Sequence, residues 1–205
     1  MRRIGLLAIV AAALTGAAGP AFAQSSPATV RLASQVCAAC HGERGNSTRP
    51  ETPTLAGQGA AYLEAQLHLF AAQGRRRASG VMGAMALQLT PGQMHDLADY
   101  YSHQRPEPVA GQDTTLAARG EAIWFEGIAD SDVPACAACH GVRGQGLPSA
   151  FPRLAGQHAA YVATQLREFR SGARASDPRA LMRTLAAKLS DEEMEAVAQY
   201  VAALR

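Results

Sequence analysis

The chain has 205 residues and a formal net charge of +2. That excess is carried by Arg2 and Arg3: without the first 23 residues, 17 basic side chains face 17 acidic ones. A balanced chain lacks the positive surplus that binding to a phosphate backbone requires, which excludes nucleic acid as a partner. Residues 24–205 are enough for one ordinary domain or two small ones.

The chain opens with "MRRIGLLAIVAAALTGAAGPAFA": two arginines, an uncharged apolar run, then Ala21, Phe22 and Ala23. This pattern predicts an export signal over 1–23, removed on delivery to an oxidising bacterial compartment, the periplasm. A retained membrane anchor is the alternative, but the run is short for a span and broken by Gly16, Gly19 and Pro20. No later segment is apolar enough to cross a bilayer.

The hexamer "CAACHG" follows at 37–42 and recurs at 136–141, an offset of 99. At the same offset "LAGQGAAY" (55–62) answers "LAGQHAAY" (154–161), and Gln66, Leu67 and Phe70 answer Gln165, Leu166 and Phe169. One residue is then gained, so that "VMGAMALQLT" (81–90) answers "LMRTLAAKLS" (181–190). Shared order over this length predicts two homologous modules. The boundary falls in "RPEPVAGQD", giving modules at 24–104 and 115–205 with a linker at 105–114.

Both modules are expected to be all-α. Ala60–Ala72 places Leu63, Leu67 and Phe70 on one stripe, and its counterpart runs over Ala159–Ser171. Thr90 with Pro91 opens a helix lined by Met94, Leu97 and Tyr101. Thr115–Glu126 opens the second module with Ile123 and Trp124 inward. Ser190 and Glu193 form a capping box for the last helix, where Met194, Val197, Val201 and Leu204 share a face. The stretch before Cys37 is shorter and poorer in large residues, and no alternating strand pattern occurs. Glycine and proline dominate the segments after each hexamer, and thin alanine-rich helices leave room for a large apolar filler.

Two cysteines separated by two residues, with a histidine next to the second, form the attachment motif for c-type haem. A short helical turn aims both sulfurs at the porphyrin vinyl edges while the histidine reaches the iron. Zinc shared by two CxxC pairs would prefer a compact knuckle, whereas these pairs belong to separate repeats. A redox dithiol would sit beside a strand–helix–strand unit, which is absent, and a disulfide across two residues would staple little.

For the second axial position the repeat itself discriminates. Met82 and Met182 each precede a leucine, Leu89 and Leu189, by seven residues, whereas Met85 maps onto Leu185. Met82 and Met182 are therefore the expected ligands; core packing of Met82, with Met85 on the iron, is the alternative. Met94 and Met194 fall on helix faces and are expected in the core. Pro53 and Pro152 each follow the motif histidine by twelve residues. Their carbonyls could accept the far ring N–H, or the prolines could simply stiffen the loop. His68, His95, His103 and His158 are expected on the surface or in loop packing, and His158 faces Gly59 in the repeat.

With "CAACHG" twice, "TPTLAGQGAAYLEAQL" beside "FPRLAGQHAAYVATQLREF", and "VMGAMALQLT" beside "LMRTLAAKLS", the chain resembles the dihaem class I cytochromes of the c4 type. The resemblance spans essentially all of 24–205. It implies two tandem class I cytochrome c domains packed face to face, each around one covalently attached haem c and its iron. It also implies Cys37 and Cys40 as anchors with His41 and Met82 axial, then Cys136, Cys139, His140 and Met182, with Pro53 and Pro152 supporting the histidines. Thr52 departs from the bulky residue of the family, present here as Phe151, which predicts a looser first site.

The resemblance further implies a soluble or membrane-associated periplasmic carrier between a quinol-oxidising complex and a terminal oxidase, with no substrate chemistry of its own. An electron-accepting subunit of a periplasmic dehydrogenase is the second expectation. A dihaem peroxidase or thiosulfate-oxidising enzyme is the third; it would need a displaceable axial position or a cysteine ligand, and all four cysteines are used in anchoring.

Overall fold

Ser26 caps the first described helix: its Oγ accepts the Thr29 N–H at 3.1 Å, and Pro27 occupies the first turn, where no N–H is required. The computed structural model describes residues 25–72, 80–109, 113–148 and 151–205. The export signal expected over 1–23 and part of the linker, 110–112, lie outside these residues.

Helix α1 (Pro27–Leu32) continues through a π-helical turn, Ala33–Cys37, into α2 (Ala38–His41). The first hexamer is thus the end of the entry helix. Helices α3 (Ala60–Ala71), α4 (Gly80–Ala86) and α5 (Pro91–Ser102) complete the first group. The second comprises α6 (Thr114–Glu126), α7 (Ala137–His140), α8 (Ala159–Ser171), α9 (Leu181–Ala186) and α10 (Asp191–Ala203). Here α6 stops at Gly127, and a loop closed by the Ile128–Val133 bridge separates it from the hexamer. The sequence repeat therefore does not extend upstream of the cysteines: the two modules reach them by different routes. Among the described residues the only β pairing is that bridge and a second at Leu147–Phe151. The fold is all-α, in two clusters, as tandem class I cytochrome c domains require.

The caps follow the side chains. The expected Ser190–Glu193 box closes in both directions, at 2.8 and 3.2 Å. Thr90 and Gln93 form the same box in the first group. Asp113 caps α6 by accepting from the Thr115 and Leu116 N–H groups, so that helix starts one residue earlier than the pattern suggested.

In the second cluster α10 packs on α6 and α8 around Trp124, Met194 and Val201, all fully buried. Burial of side chains of this size contributes ~1.5–3 kcal/mol each. The first core is thinner, with Ala33, Leu63, Leu97, Ala98 and Tyr101, as the poor entry segment foretold. Met94 and Met194 are core residues at 3% and 0% exposure, which removes them from the candidates for a ligand.

Side chains cross between the clusters in reciprocal pairs. Gln58 Nε2 donates to the Arg153 carbonyl at 2.8 Å and its Oε1 accepts the Arg153 N–H at 2.9 Å. Gln157 does the same to Thr54, accepting its N–H at 2.9 Å and donating to its carbonyl at 3.0 Å. Outside this symmetry, His158 Nε2 bonds the Ser47 carbonyl at 2.7 Å, and Arg174 donates to the Tyr62 hydroxyl at 2.9 Å and to Gln66.

The α6–α10 crossing depends on Gly120, where a Cβ would lie 2.0 Å from the Ala196 carbonyl oxygen. Gly120→Ala is expected to force the helices apart and to destabilise the chain by about 1–3 kcal/mol, read as a lower midpoint in guanidinium unfolding.

Candidate functional site

Each hexamer folds as a single helical turn closed by its glycine. Gly42 and Gly141 take φ of 76° and 82°, and at Gly42 a Cβ would lie 1.9 Å from the Asn46 carbonyl oxygen. The left-handed residue ends the turn at the histidine and sends the chain back beneath it.

The next motif, "LAGQ", is a set of anchors. The Leu55 and Ala56 N–H groups both bond the Gly45 carbonyl, and Leu154 and Ala155 bond Gly144 in the same way. The Gly57 N–H reaches the Tyr101 carbonyl at the end of α5, and Gly156 reaches Val201 in α10. The glutamines then cross to the other cluster. These bonds place Pro53 and Pro152, each two residues before the motif, directly against the histidine.

His41 Nδ1 lies 2.9 Å from the Pro53 carbonyl oxygen, and His140 Nδ1 lies 3.1 Å from that of Pro152. A carbonyl can only accept, so Nδ1 carries the proton. Burial pushes both imidazole pKa values below the ordinary histidine value, outweighing the proline bonds, which favour the charged form. A neutral ring protonated at Nδ1 presents its lone pair at Nε2, the form a metal-ligating histidine needs. In each module the proline carbonyl thus lies within hydrogen-bond distance of the buried ring.

The cysteines are free and half-buried. Burial pushes the Cys136 thiol up to about 11 and raises Cys37 as well. Zinc ligands and redox dithiols act as thiolates, which such surroundings disfavour. Nor do three or more His, Cys, Asp or Glu side chains converge among the described residues, as a shared zinc would demand. Neutral thiols beside a buried Nε2 lone pair do suit a haem joined through thioether bonds. The residues present fit that group.

The two sites differ in their walls. Around His140, Trp124 and Phe151 lie with ring centroids at 6.4 and 6.1 Å, and Trp124 Nε1 donates to the Val142 carbonyl. At the first site Thr52 replaces Phe151, and the large residue facing Cys37 is Tyr101, whose buried hydroxyl has no nitrogen or oxygen partner among the described residues. Burial and the adjacent thiol push the Tyr101 hydroxyl far above the ordinary tyrosine value.

Met82 and Met85 are both half-buried on α4, while Met182 on α9 packs against the second core. A feature that pattern reading missed steadies α9. The Asp177 side chain, 5% exposed, accepts the Arg183 backbone N–H at 3.0 Å and the Arg183 Nε–H at 2.7 Å. Its counterpart to Arg183 in the first module is Gly83, so the brace belongs to the second site alone. The sign was available: an aspartate before a proline, six residues ahead of an arginine that the repeat does not share. Of the remaining histidines, His68, His95 and His103 are exposed, whereas His158 is half-buried and bonds across the interface.

Known proteins are similar to the chain across both modules. The family described as cytochrome c matches the chain twice, over residues 29–104 and 117–205. The cytochrome c4 of Thiocapsa roseopersicina is 46% identical over 175 residues, 84% of this chain and 88% of that protein. The thiosulfate dehydrogenase electron acceptor of Thiomonas intermedia is 37% identical over 206 residues, 99% of this chain and 91% of that protein. The crystal structure of reduced recombinant cytochrome c4 from Pseudomonas stutzeri superposes with a TM-score of 0.79 at 38% identity, covering 89% of this chain and 99% of that one.

The brace on α9 has a pH signature. Burial works to raise the Asp177 pKa, yet the Arg183 N–H and guanidinium hold it below the ordinary 3.8. Its stabilisation is therefore complete above that value and is lost as pH falls through the lower folded value. Asp177→Ala is expected to cost about 1–3 kcal/mol in guanidinium unfolding at pH 7, with the gap from the wild-type protein narrowing below pH 3.8.

Proposed function

The chain belongs to the cytochrome c4 family, dihaem class I c-type cytochromes that transfer electrons and are not enzymes, and from that premise we propose how its residues serve the task. Cys37 and Cys40 would hold one haem and Cys136 and Cys139 the other, through thioether bonds. His41 and Met82 would hold the iron of the first haem, and His140 and Met182 that of the second. The observation that carries this reading is the pair of buried, neutral histidines on identical turns, each with Nδ1–H held by a proline carbonyl twelve residues on.

Haem c, when bound, supplies a one-electron iron couple. The chain's part is to keep that couple free of other chemistry. The Pro53 and Pro152 carbonyls fix the tautomer and raise the basicity of Nε2. Met82 and Met182 would supply the remaining ligand to each iron and so keep peroxide and oxygen from binding there. The buried walls exclude water, so little rearrangement accompanies the change of charge. Trp124 and Phe151 enclose the second site more fully, and a less polar wall favours the less charged, reduced state. The second module therefore holds the higher potential.

The compartment proposed is the periplasm, after removal of 1–23. No helix among the described residues is long and apolar enough to cross a membrane. The partners proposed are a quinol-oxidising complex as donor and a terminal oxidase as acceptor, with docking by a soluble or peripherally membrane-associated carrier. Similarity to the Thiomonas intermedia electron acceptor over 99% of this chain supports a second reading, in which a periplasmic dehydrogenase is the donor. Stopped-flow reduction separates them: the physiological donor reduces the ferric protein rapidly, and the other does not.

Met82→Ala is the test of the ligand set. The variant is expected to lose the red-end methionine–iron band from one haem of the two and to lower that haem's potential, in a potentiometric titration followed by visible spectra. An unchanged titration would place Met85 on the first iron.

A further inference from the structure

The interface glutamines touch more than the opposite cluster. Gln157 Oε1 accepts the Thr54 N–H at 2.9 Å. That N–H belongs to the same peptide unit as the Pro53 carbonyl, which lies 2.9 Å from His41 Nδ1. In the other direction, Gln58 Oε1 accepts the Arg153 N–H at 2.9 Å, and that peptide unit's carbonyl, of Pro152, lies 3.1 Å from His140 Nδ1. Each histidine is thus joined, through one peptide group, to a glutamine of the other module.

We propose that Gln157 and Gln58 are positioning residues that set, across the domain interface, the histidine hydrogen bond of the opposite module: Gln157 for His41 and Gln58 for His140. The inference rests on these histidines being the axial ligands.

Three facts support it. The glutamine orientation is dictated by its partners, since Oε1 faces N–H donors and Nε2 faces a carbonyl: Gln157 donates to Thr54 at 3.0 Å and Gln58 to Arg153 at 2.8 Å. Each Oε1 also accepts the next residue's N–H, from Gly59 at 2.9 Å and His158 at 3.2 Å, which fixes the amide from its own side. Both glutamines and Thr54 are 7–8% exposed, so water cannot readily replace these bonds.

The physical consequence has a definite sign. A peptide whose N–H is hydrogen-bonded is more strongly polarised, and its carbonyl is a better acceptor. A better acceptor draws the Nδ1 proton further from the ring and makes Nε2 more basic, which favours the more positively charged ferric iron. The glutamine therefore lowers the potential of the haem it does not itself enclose.

The near-isosteric changes Gln157→Met and Gln58→Met in the holoprotein test this, with potentials assigned haem by haem through hyperfine-shifted proton NMR. Gln157→Met is expected to raise the potential and shift the Nδ1–H resonance of the His41 haem alone; Gln58→Met should do so for the His140 haem alone. A shift confined to the variant's own module, no shift, or equal movement of both haems, the mark of separated domains, overturns the proposal. Amide hydrogen exchange on the unaltered holoprotein is an independent check that survives a misfolded variant: the Thr54 and Arg153 amides should be protected, and rapid exchange of either rejects the bond. If the unaltered protein lacked two histidine-ligated low-spin haems, the ligand assignment itself would fail. Normal ligation with unmoved potentials sinks this inference alone.

Discussion

The bond from a buried imidazole Nδ1–H to a proline carbonyl, made once in each module, constrains most of what surrounds it. For the ring to be neutral it must be buried, and for Nε2 to carry the lone pair its other nitrogen must have an acceptor inside the protein. That acceptor cannot wander. The loops carrying Pro53 and Pro152 are accordingly tied to Gly45 and Gly144 behind the hexamer and to the ends of α5 and α10. The terminal helices are as much part of the site as the cysteine turn, because they hold the peptide that holds the ring.

Much of this was legible in the residues. The hexamers, the prolines at twelve residues and the glutamine of "LAGQ" all recur, and recurrence separates what both modules need from what one happens to contain. The helices and their caps were equally open to reading, since Ser190 with Glu193 is a local device whose geometry depends on little else. The π-helical turn at Ala33–Cys37 was not, because it follows from joining the entry helix directly to the cysteines, a tertiary matter. Nor could spacing show that Gln58 and Gln157 face the other module: a polar residue after a turn fits a solvent-facing loop as well as an interface. His158 likewise reads from sequence as surface or loop packing, and its bond to Ser47 forms only where the modules dock.

The docking also explains why the glutamines must repeat. A nearly two-fold contact uses one patch twice, so that if residue i of one half meets j of the other, then j meets i in return. Gln58 on Arg153 and Gln157 on Thr54 obey this rule, with Thr54 and Arg153 occupying equivalent places although their side chains differ. Only the backbone is gripped, and the side chains there are free to vary. Identity is demanded of the glutamine alone.

Where the symmetry lapses, the two sites acquire separate characters. His158 against Gly59, Phe151 against Thr52, and the Asp177–Arg183 brace against Gly83 all fall outside the reciprocal bonds, and all enrich the second module. A duplicated module with identical surroundings would offer an electron two equal resting places and no reason to prefer either. Keeping the histidine bond symmetric while varying the walls lets one ligand chemistry serve both haems and leaves burial and packing to set them apart. Duplication thus conserves the part that must work in each module, and divergence acts on the part that distinguishes them.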